Sequence, residues 1–206
     1  LYPAATPFVI TIEGLTPDTG YFYRLRWRRP GATGWNWQEE RTFHTHRRAG
    51  STFRFTIQSD SHLDENSVLE MYQRTLSNVK ADAPDFHIDL GDTFMCEKHT
   101  QPFDKVILTA PDYPTVDTRY LYERGNFGII TPSVPLFLVN GNHEGELGYL
   151  FKGGGQDIAT WATQARLKYY LNPTPNGFYS GIADAFPVVG QRASYYSWTW
   201  GDALFV

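Results

Sequence analysis

Three short segments rich in apolar residues, each followed at once by polar residues, constrain the fold of this chain more than any other feature. They span residues 53–57, 86–90 and 136–139. Runs of this length with few charges predict strands buried in a sheet. Between the first two runs, apolar residues recur at helical spacing over 66–81, with Asn66 or Asp64 as the expected cap. A strand, a helix and a second strand predict a parallel pair with a right-handed crossover, and hence an α/β domain.

Side chains that can bind a metal follow all three predicted strands. Asp60 and His62 follow the first strand, Asp92 follows the second, and Asn142 follows the third. Open α/β sheets carry such residues on loops beyond the carboxyl ends of the strands, so we expect all four to meet at one edge. Carboxylate oxygens combined with an imidazole nitrogen suit a first-row transition metal better than calcium or magnesium. The sequence therefore predicts a metal site.

His143 stands directly after Asn142, so its side chain is expected to point to a different place. That position suits a group that acts on a substrate better than a metal ligand. Gly91 and Gly141 permit a close approach of the backbone or a positive φ at the turns. Glu144 is expected to support the loop from behind the ligands.

These motifs resemble those of the calcineurin-like metallophosphoesterases, whose pattern runs Asp-x-His, then Gly-Asp, then Gly-Asn-His-Asp/Glu. The resemblance covers about residues 53–206 and implies the four-layer αββα sandwich of that family. It implies that Asp60 and His62 hold one metal ion, that Asp92 bridges two ions, and that Asn142 holds the second. His143 would protonate the leaving oxygen or stabilise the transition state.

The same resemblance implies what the site would do. Two ions of iron, manganese or zinc would activate a hydroxide that hydrolyses a phosphate monoester or diester of a small molecule. The family pattern also contains later histidines, one isolated and one pair in a Gly-His-x-His motif, which do not occur in residues 1–206. We therefore expect residues 49–206 to be the N-terminal portion of the domain. The rest of that domain would complete the metal site, and this portion alone would bind metal weakly and be poorly active.

The purple acid phosphatases are an adjacent subfamily with a similar architecture. Their pattern places a tyrosine ligand three residues after the bridging aspartate and lacks the histidine of Asp-x-His. Here that position is Met95, and His62 is present. A ferric-tyrosinate centre is therefore not expected.

The first 48 residues differ in pattern from the rest of the chain. Alternating apolar and polar residues predict strands at 8–12, 21–27 and 37–44. The segment from Leu15 to Arg24 resembles the later half of a fibronectin type III-like sandwich, so we predict a partial all-β domain over residues 1–48. Arg47 to Ser51 would form the linker. Such a module joined to a phosphoesterase domain favours a secreted or periplasmic protein, although no signal peptide is visible.

Charge and composition exclude few partners. The net charge is −4, so bulk binding of nucleic acid is not expected. Arginines are concentrated in the first quarter of the chain. They are interpreted as a solvated sheet face, with a phosphate-binding or surface-binding patch as the alternative. The sequence contains no run of about 18 apolar residues, so a membrane span is not predicted.

Further elements are predicted for the remainder of the chain. They are a short helix near 117–125, a helix over 157–171, and a hairpin over 194–206 around Gly201 and Asp202. His87 alternates within a predicted strand and is interpreted as a core histidine. Cys96 and His99 form an isolated Cys-x-x-His. A zinc site is not expected there, because the sequence has no second pair of Cys or His ligands to match it.

A second functional hypothesis belongs to a different class. The chain would be a non-catalytic binding or adhesion module, in which the sandwich acts and the phosphoesterase domain is a degenerate scaffold. A degenerate domain is expected to have lost a ligand, whereas Asp60, His62, Asp92 and Asn142 are all present. This favours the enzyme. The substrate, its ester type and the metal are not specified by the sequence.

Overall fold

The computed structural model describes residues 6–64, 66–93, 112–144, 151, 153–192 and 194–206. Within these residues the chain forms twelve β-strands and three α-helices. In chain order they are β1 (Gly20–Tyr23), β2 (Arg26–Trp27), β3 (Asn36–Trp37), β4 (Arg41–His44), β5 (Phe55–Gln58), α1 (Leu69–Ala81), β6 (Phe86–Asp89), α2 (Tyr113–Phe127), β7 (Leu136–Leu138), α3 (Ile158–Tyr169), β8 (Ser180–Gly181), β9 (Ala185–Phe186), β10 (Gly190–Gln191), β11 (Tyr196–Trp200) and β12 (Ala203–Phe205).

A three-stranded parallel sheet carries the predicted ligands. Its order is β5-β6-β7, and β6 pairs in parallel with both neighbours. All four residues of β6 are buried, because other structure covers both faces of this central strand. The predicted parallel α/β arrangement is confirmed, and the three strands lie within the predicted runs or one residue from them.

Two clusters of apolar side chains cover the two faces of this sheet. On one face α1, α2 and α3 form a helical core that includes Leu76, Tyr120 and Ala162. On the other face Phe86 and Phe137 pack against the indoles of β11 in an aromatic cluster. Helices, parallel sheet and the β11–β12 hairpin therefore form three successive layers. The fourth layer of the family sandwich stays a prediction.

Helices α2 and α3 begin where an aspartate caps them. Asp112 and Asp157 each accept a hydrogen bond at 3.0 Å from the backbone N–H three residues later, which satisfies a donor that the first turn leaves free. The second helix is longer than the predicted 117–125, whereas α3 lies inside the predicted 157–171. The predicted hairpin is confirmed by the antiparallel pairing of β11 with β12.

The predicted cap of α1 was wrong. The helix starts at Leu69, after Val68, and no side chain caps it. The Asp64 carboxylate instead accepts hydrogen bonds from the Asn66 N–H and the Ser67 hydroxyl. These bonds close a turn before the helix, and so residues 66–68 are not helical.

Two predictions for the first 48 residues were also wrong. Residues 8–12 form no strand in the described part of the chain, and Phe8, Val9, Ile10 and Ile12 are more than half exposed. Apolar side chains alone did not make a strand there, and no strand of the described part of the chain includes these residues. The predicted strands 21–27 and 37–44 each divide into two. As a result β1 pairs with β4, and β2 pairs with β3 in a separate hairpin.

The first strands contact the amino-terminal end of the parallel sheet. The Tyr23 hydroxyl donates to the Pro132 carbonyl at 2.6 Å, four residues before β7 begins. Arg47 donates to Asp85, the residue before β6, at 2.6 Å. The predicted ligands follow the opposite, carboxyl-terminal ends of these strands. The boundary between residues 48 and 49 stays a prediction. None of the helices in the described part of the chain has the length and hydrophobicity needed to cross a bilayer.

Candidate metal centre

Three of the predicted ligands lie together beyond the carboxyl ends of the sheet. One ligand atom from each of Asp60, His62 and Asp92 lies within 4.8 Å of the others. The Nε2 atom of His62 is 3.6 Å from Oδ1 of Asp60. The parallel pairing of β5 with β6 accounts for this, because it brings the loops after both strands to the same edge.

All three residues adopt the left-handed backbone conformation. Their φ angles are 54° for Asp60, 55° for His62 and 51° for Asp92. Such angles are uncommon outside glycine, cost on the order of 1–3 kcal/mol each, and concentrate at functional sites. Hydrogen bonds between the two loops hold this conformation. The Asp60 N–H donates to the Gly91 carbonyl at 3.0 Å, and the His62 N–H donates to the Asp92 carbonyl at 2.9 Å.

Gly91 and Gly141 are required where the loops after β6 and β7 touch. A Cβ atom on Gly91 would overlap the Gly141 nitrogen, and one on Gly141 would overlap the Asp92 carboxylate. Gly91 also has a φ of 90°. The predicted close approach of the backbone is therefore confirmed at both glycines.

Glu144 supports both of these loops from below. Its carboxylate accepts backbone hydrogen bonds from Asp92 at 2.7 Å, from Thr93 at 2.5 Å and from Gly141 at 2.9 Å. The side chain is buried, and burial raises the pKa of this carboxyl while the three N–H donors act in the opposite direction. The predicted support of the loop by Glu144 is confirmed.

His143 lies next to the ligand cluster. Its ring centroid is 5.5 Å from that of His62, with the rings tilted by 60°. Its backbone N–H donates to Oδ1 of Asp92 at 3.0 Å, which ties the third loop to the predicted bridging residue. Asn142 is on the same turn with an exposed side chain. The roles of His143 as an acid and of Asn142 as a ligand stay predictions.

The electrostatics of the site differ between its surface and its base. At the surface, a hydrogen bond from the Ser59 side chain lowers the pKa of Asp60, with a smaller contribution from His62. Asp60 is therefore held as a carboxylate, the form that binds a metal. At the base, burial raises the pKa of Asp89 to about 7.

Asp89 belongs to a layer of buried carboxyl groups beneath the loops. Its Oδ1 accepts from the Gly91 N–H at 2.9 Å and from the Thr93 hydroxyl at 3.0 Å. Glu123 of α2 lies nearby and accepts a 2.5 Å hydrogen bond from the Tyr72 hydroxyl of α1. A cavity of about 20 Å³ lies between Asp89, Glu123 and Glu144, which is room for one water molecule. This layer connects the helices to the loop that carries Asp92.

Sequence reasoning did not identify Asp89 or Glu123 as part of the site. A signal existed for Asp89, since a carboxylate inside a run that is otherwise buried requires a hydrogen-bond partner. For Glu123 no sequence signal exists, because its partner Tyr72 lies 51 residues away.

The grouped side chains fit a transition-metal ion. Ligand atoms at about 2.0–2.2 Å from one ion lie roughly 3–4.4 Å from one another. The observed spread of 4.8 Å is close to that range, and small rotations of exposed side chains would close the difference. Two carboxylates and an imidazole provide the mixed oxygen and nitrogen donors that such ions accept.

Comparison with known proteins supports the fold. No family model matches the chain, and no curated protein sequence matches it. Among solved structures, a purple acid phosphatase isolated from yellow lupin (Lupinus luteus) seeds matches with a TM-score of 0.50 and 18% sequence identity. The match covers 79% of this chain and 27% of the length of that phosphatase. At this identity the likeness concerns the fold alone. The chain therefore has a mixed α/β fold that resembles part of this phosphatase structure.

Proposed function

We propose that this protein is a metal-dependent phosphoesterase that hydrolyses phosphate monoesters or diesters of small molecules. The observation that carries the proposal is the meeting of Asp60, His62 and Asp92 within 4.8 Å, all three with a left-handed backbone. The fold shared with a purple acid phosphatase supports it. In this proposal Asp60 and His62 would hold one ion, Asp92 would contribute to both ions, and Asn142 would hold the second.

The chemistry supplied by bound iron, manganese or zinc is neutralisation of phosphoryl charge and a lowered pKa of water. This chain's residues then have separate tasks. Asp92 is held by the His143 N–H on its carboxylate and by Glu144 on its backbone. The loop geometry is therefore set before a substrate arrives, which favours positioning and charge stabilisation. The imidazole of His143 lies beside the cluster and donates a proton to the ester oxygen that leaves phosphorus.

The test compares wild-type full-length protein with the His143→Ala and Asp92→Asn variants. Metal content is measured by mass spectrometry, and turnover is measured on a panel of phosphomonoesters and phosphodiesters. We expect His143→Ala to lower turnover about 10²–10⁴-fold with metal content nearly unchanged. We expect Asp92→Asn to lose both metal and turnover. Loss of metal from His143→Ala would refute the acid role, and a wild-type protein with no turnover on any ester would refute the function.

A further inference from the structure

The hairpin of residues 24–40, which contains β2 and β3, exposes an unusual set of side chains. Every residue from 24 to 40 is exposed, and Trp27, Trp35 and Trp37 retain 44–57% of their surface. Exposed aromatic groups that cluster together mark interaction sites more often than ordinary surface. Tryptophan and arginine are also the residue types most enriched among energetically dominant contacts at interfaces. We call this segment the Arg–Trp hairpin.

Stacking against indole rings holds the arginines of this hairpin in a row. The Arg26 guanidinium lies 4.5 Å from the Trp35 ring and 5.5 Å from the Trp37 ring. Arg28 lies 4.8 Å from Trp35, and Arg24 lies 5.9 Å from Trp37. These arginines alternate along the sequence, so an extended chain spaces them about 7 Å apart on one face. Cation–π contact restricts each guanidinium and lowers the entropy cost of binding a ligand.

Two of these guanidinium groups lack an acidic partner among the residues that the structure describes. Arg24 forms an ion pair with Glu40 at 3.5 Å. In the described part of the chain, neither Arg26 nor Arg28 lies within 4.0 Å of a carboxylate oxygen. Both residues are exposed, and a guanidinium group binds carboxylate or sulfate in a bidentate manner. The hairpin therefore presents a row of guanidinium groups that can donate hydrogen bonds to a bound anion.

We propose that the Arg–Trp hairpin binds an acidic polysaccharide through the carboxylate or sulfate groups on successive sugars. A linear polyanion with repeated charges complements a row of guanidinium groups. Single-stranded nucleic acid is less favoured, because bases stack on aromatic faces, and the Arg26 guanidinium against the rings of Trp35 and Trp37 would compete with a stacked base. A second copy of the chain is less favoured as well. Two copies that met hairpin against hairpin about a two-fold axis would place arginines of like charge opposite one another.

The position of the hairpin makes this binding independent of the phosphoesterase proposal. The β1–β4 pair next to it contacts the amino-terminal end of the parallel sheet through Tyr23 and Thr42. The candidate metal centre lies beyond the opposite end. A bound polymer would thus hold the protein in place and leave the metal centre open.

The test measures binding of the full-length protein to dextran sulfate and polygalacturonate, with neutral dextran and oligo(dT) as comparison ligands. We expect salt-sensitive binding to at least one acidic polysaccharide and none to neutral dextran. The double variant R26Q/R28Q should weaken binding by at least about tenfold, since each charged hydrogen bond lost corresponds to that order of magnitude. The matched double variant R48Q/R74Q removes the same charge from two other exposed arginines and should change binding less than about twofold.

A third variant tests whether binding depends on the stacked arrangement of the guanidinium groups or only on their charge. Trp35→Leu keeps all arginines but removes the stack between Arg26 and Arg28, and it should weaken binding while the melting temperature stays within a few degrees of wild type. The proposal is overturned if the wild type binds no acidic polysaccharide, or if both double variants lose affinity equally. It is also overturned if oligo(dT) binds more tightly than both polysaccharides, or if sedimentation shows dimers that R26Q/R28Q abolishes.

Discussion

Glu144 is the side chain on which the geometry of the candidate metal centre most depends. Its two oxygens accept three backbone N–H groups, from Asp92, Thr93 and Gly141. A carboxylate has acceptor sites for all three, whereas a carboxamide has one oxygen and directs N–H donors toward the rest. The charge of Glu144 is thus needed to hold the loops after β6 and β7 together.

We expect Glu144→Gln to lower the affinity of the full-length protein for manganese(II) about 10–100-fold, the range typical for residues that orient metal ligands. Isothermal titration calorimetry measures this directly. Glu70→Gln, an exposed change on α1, serves as the control and should leave the affinity unchanged. Equal affinities for wild type and Glu144→Gln would show that the loops keep their geometry without the carboxylate.

The burial of His87 is expected to make the free energy of unfolding depend on pH. This core histidine is fully buried, as predicted, and burial lowers its pKa to about 4 from the ordinary 6.5. Between these values the unfolded chain binds a proton at this site and the folded chain does not. Stability therefore falls as pH falls from about 6.5 to 4, by about 3 kcal/mol for this group. Above pH 6.5 the group contributes no pH dependence.

Urea unfolding of wild type and His87→Gln across pH 4–7.5 isolates this effect. The pKa of Asp89 is raised to about 7. Its contribution to the free energy of unfolding therefore falls as pH rises over an overlapping pH range, and this happens equally in both proteins. The difference between the two curves should shrink toward low pH by a few kcal/mol. A constant difference across the range would mean that folding does not change the pKa of His87.

At the scale of elements, contact between the loops after β6 and β7 requires glycine at position 91. A methyl group there would overlap the Gly141 nitrogen and lie 2.8 Å from Oε2 of Glu144, and φ is 90°. Gly14 has a φ of 73° but nothing within 4 Å of an added Cβ. Comparison of the two positions thus separates backbone strain from the clash.

We expect Gly14→Ala to lower the free energy of unfolding by about 1 kcal/mol, from the left-handed φ alone. Gly91→Ala should lower it by roughly 3 kcal/mol or more, because strain and overlap act together. Chemical denaturation monitored by tryptophan fluorescence measures both. Similar losses at the two positions would contradict the close contact between the loops.

The strands of the parallel sheet could be predicted from sequence because local patterns define them. The runs at 53–57, 86–90 and 136–139 are short and rich in apolar residues, and the last two are bounded by glycine or proline. Such signals lie within a few residues of the element itself. Helix α3 was found for the same reason, since Asp157 caps it and apolar residues follow at helical spacing.

Features that depend on distant residues could not be predicted. Residues 8–12 have apolar side chains typical of a strand, but a strand also requires a partner, and none pairs with them among the described residues. The side chains of Asp64 and Ser67 bond to each other rather than to the helix, so a suitable cap residue was no guarantee of a cap. The left-handed backbone at Asp60 and His62 likewise results from bonds to Gly91 and Asp92, about 30 residues later in the chain.

At the scale of the whole molecule, Arg47 connects the first strands to the parallel sheet. Its guanidinium donates to Asp85 at 2.6 Å and to Asp18 at 3.2 Å. The Asp85 side chain is only 7% exposed, so removal of Arg47 would leave a buried carboxylate without its charged partner. Unpaired groups of this kind cost more than the ion pair contributes.

We expect Arg47→Met to lower the free energy of unfolding by about 1–3 kcal/mol. The neighbouring Arg48→Met, at an exposed position, should change it by less than about 0.5 kcal/mol. Thermal unfolding of both variants measures the difference. If both variants unfold like the wild type, the first strands and the sheet are not coupled through Arg47.

The central claim is that Asp60, His62 and Asp92 bind one metal centre, and anomalous X-ray diffraction tests it most directly. Crystals of the full-length protein grown with manganese(II) or zinc would be measured on both sides of the metal absorption edge. We predict an anomalous peak within about 2.0–2.3 Å of an oxygen of Asp60, a nitrogen of His62 and an oxygen of Asp92. A peak elsewhere in the molecule, with density for these three side chains but no metal between them, would contradict the account.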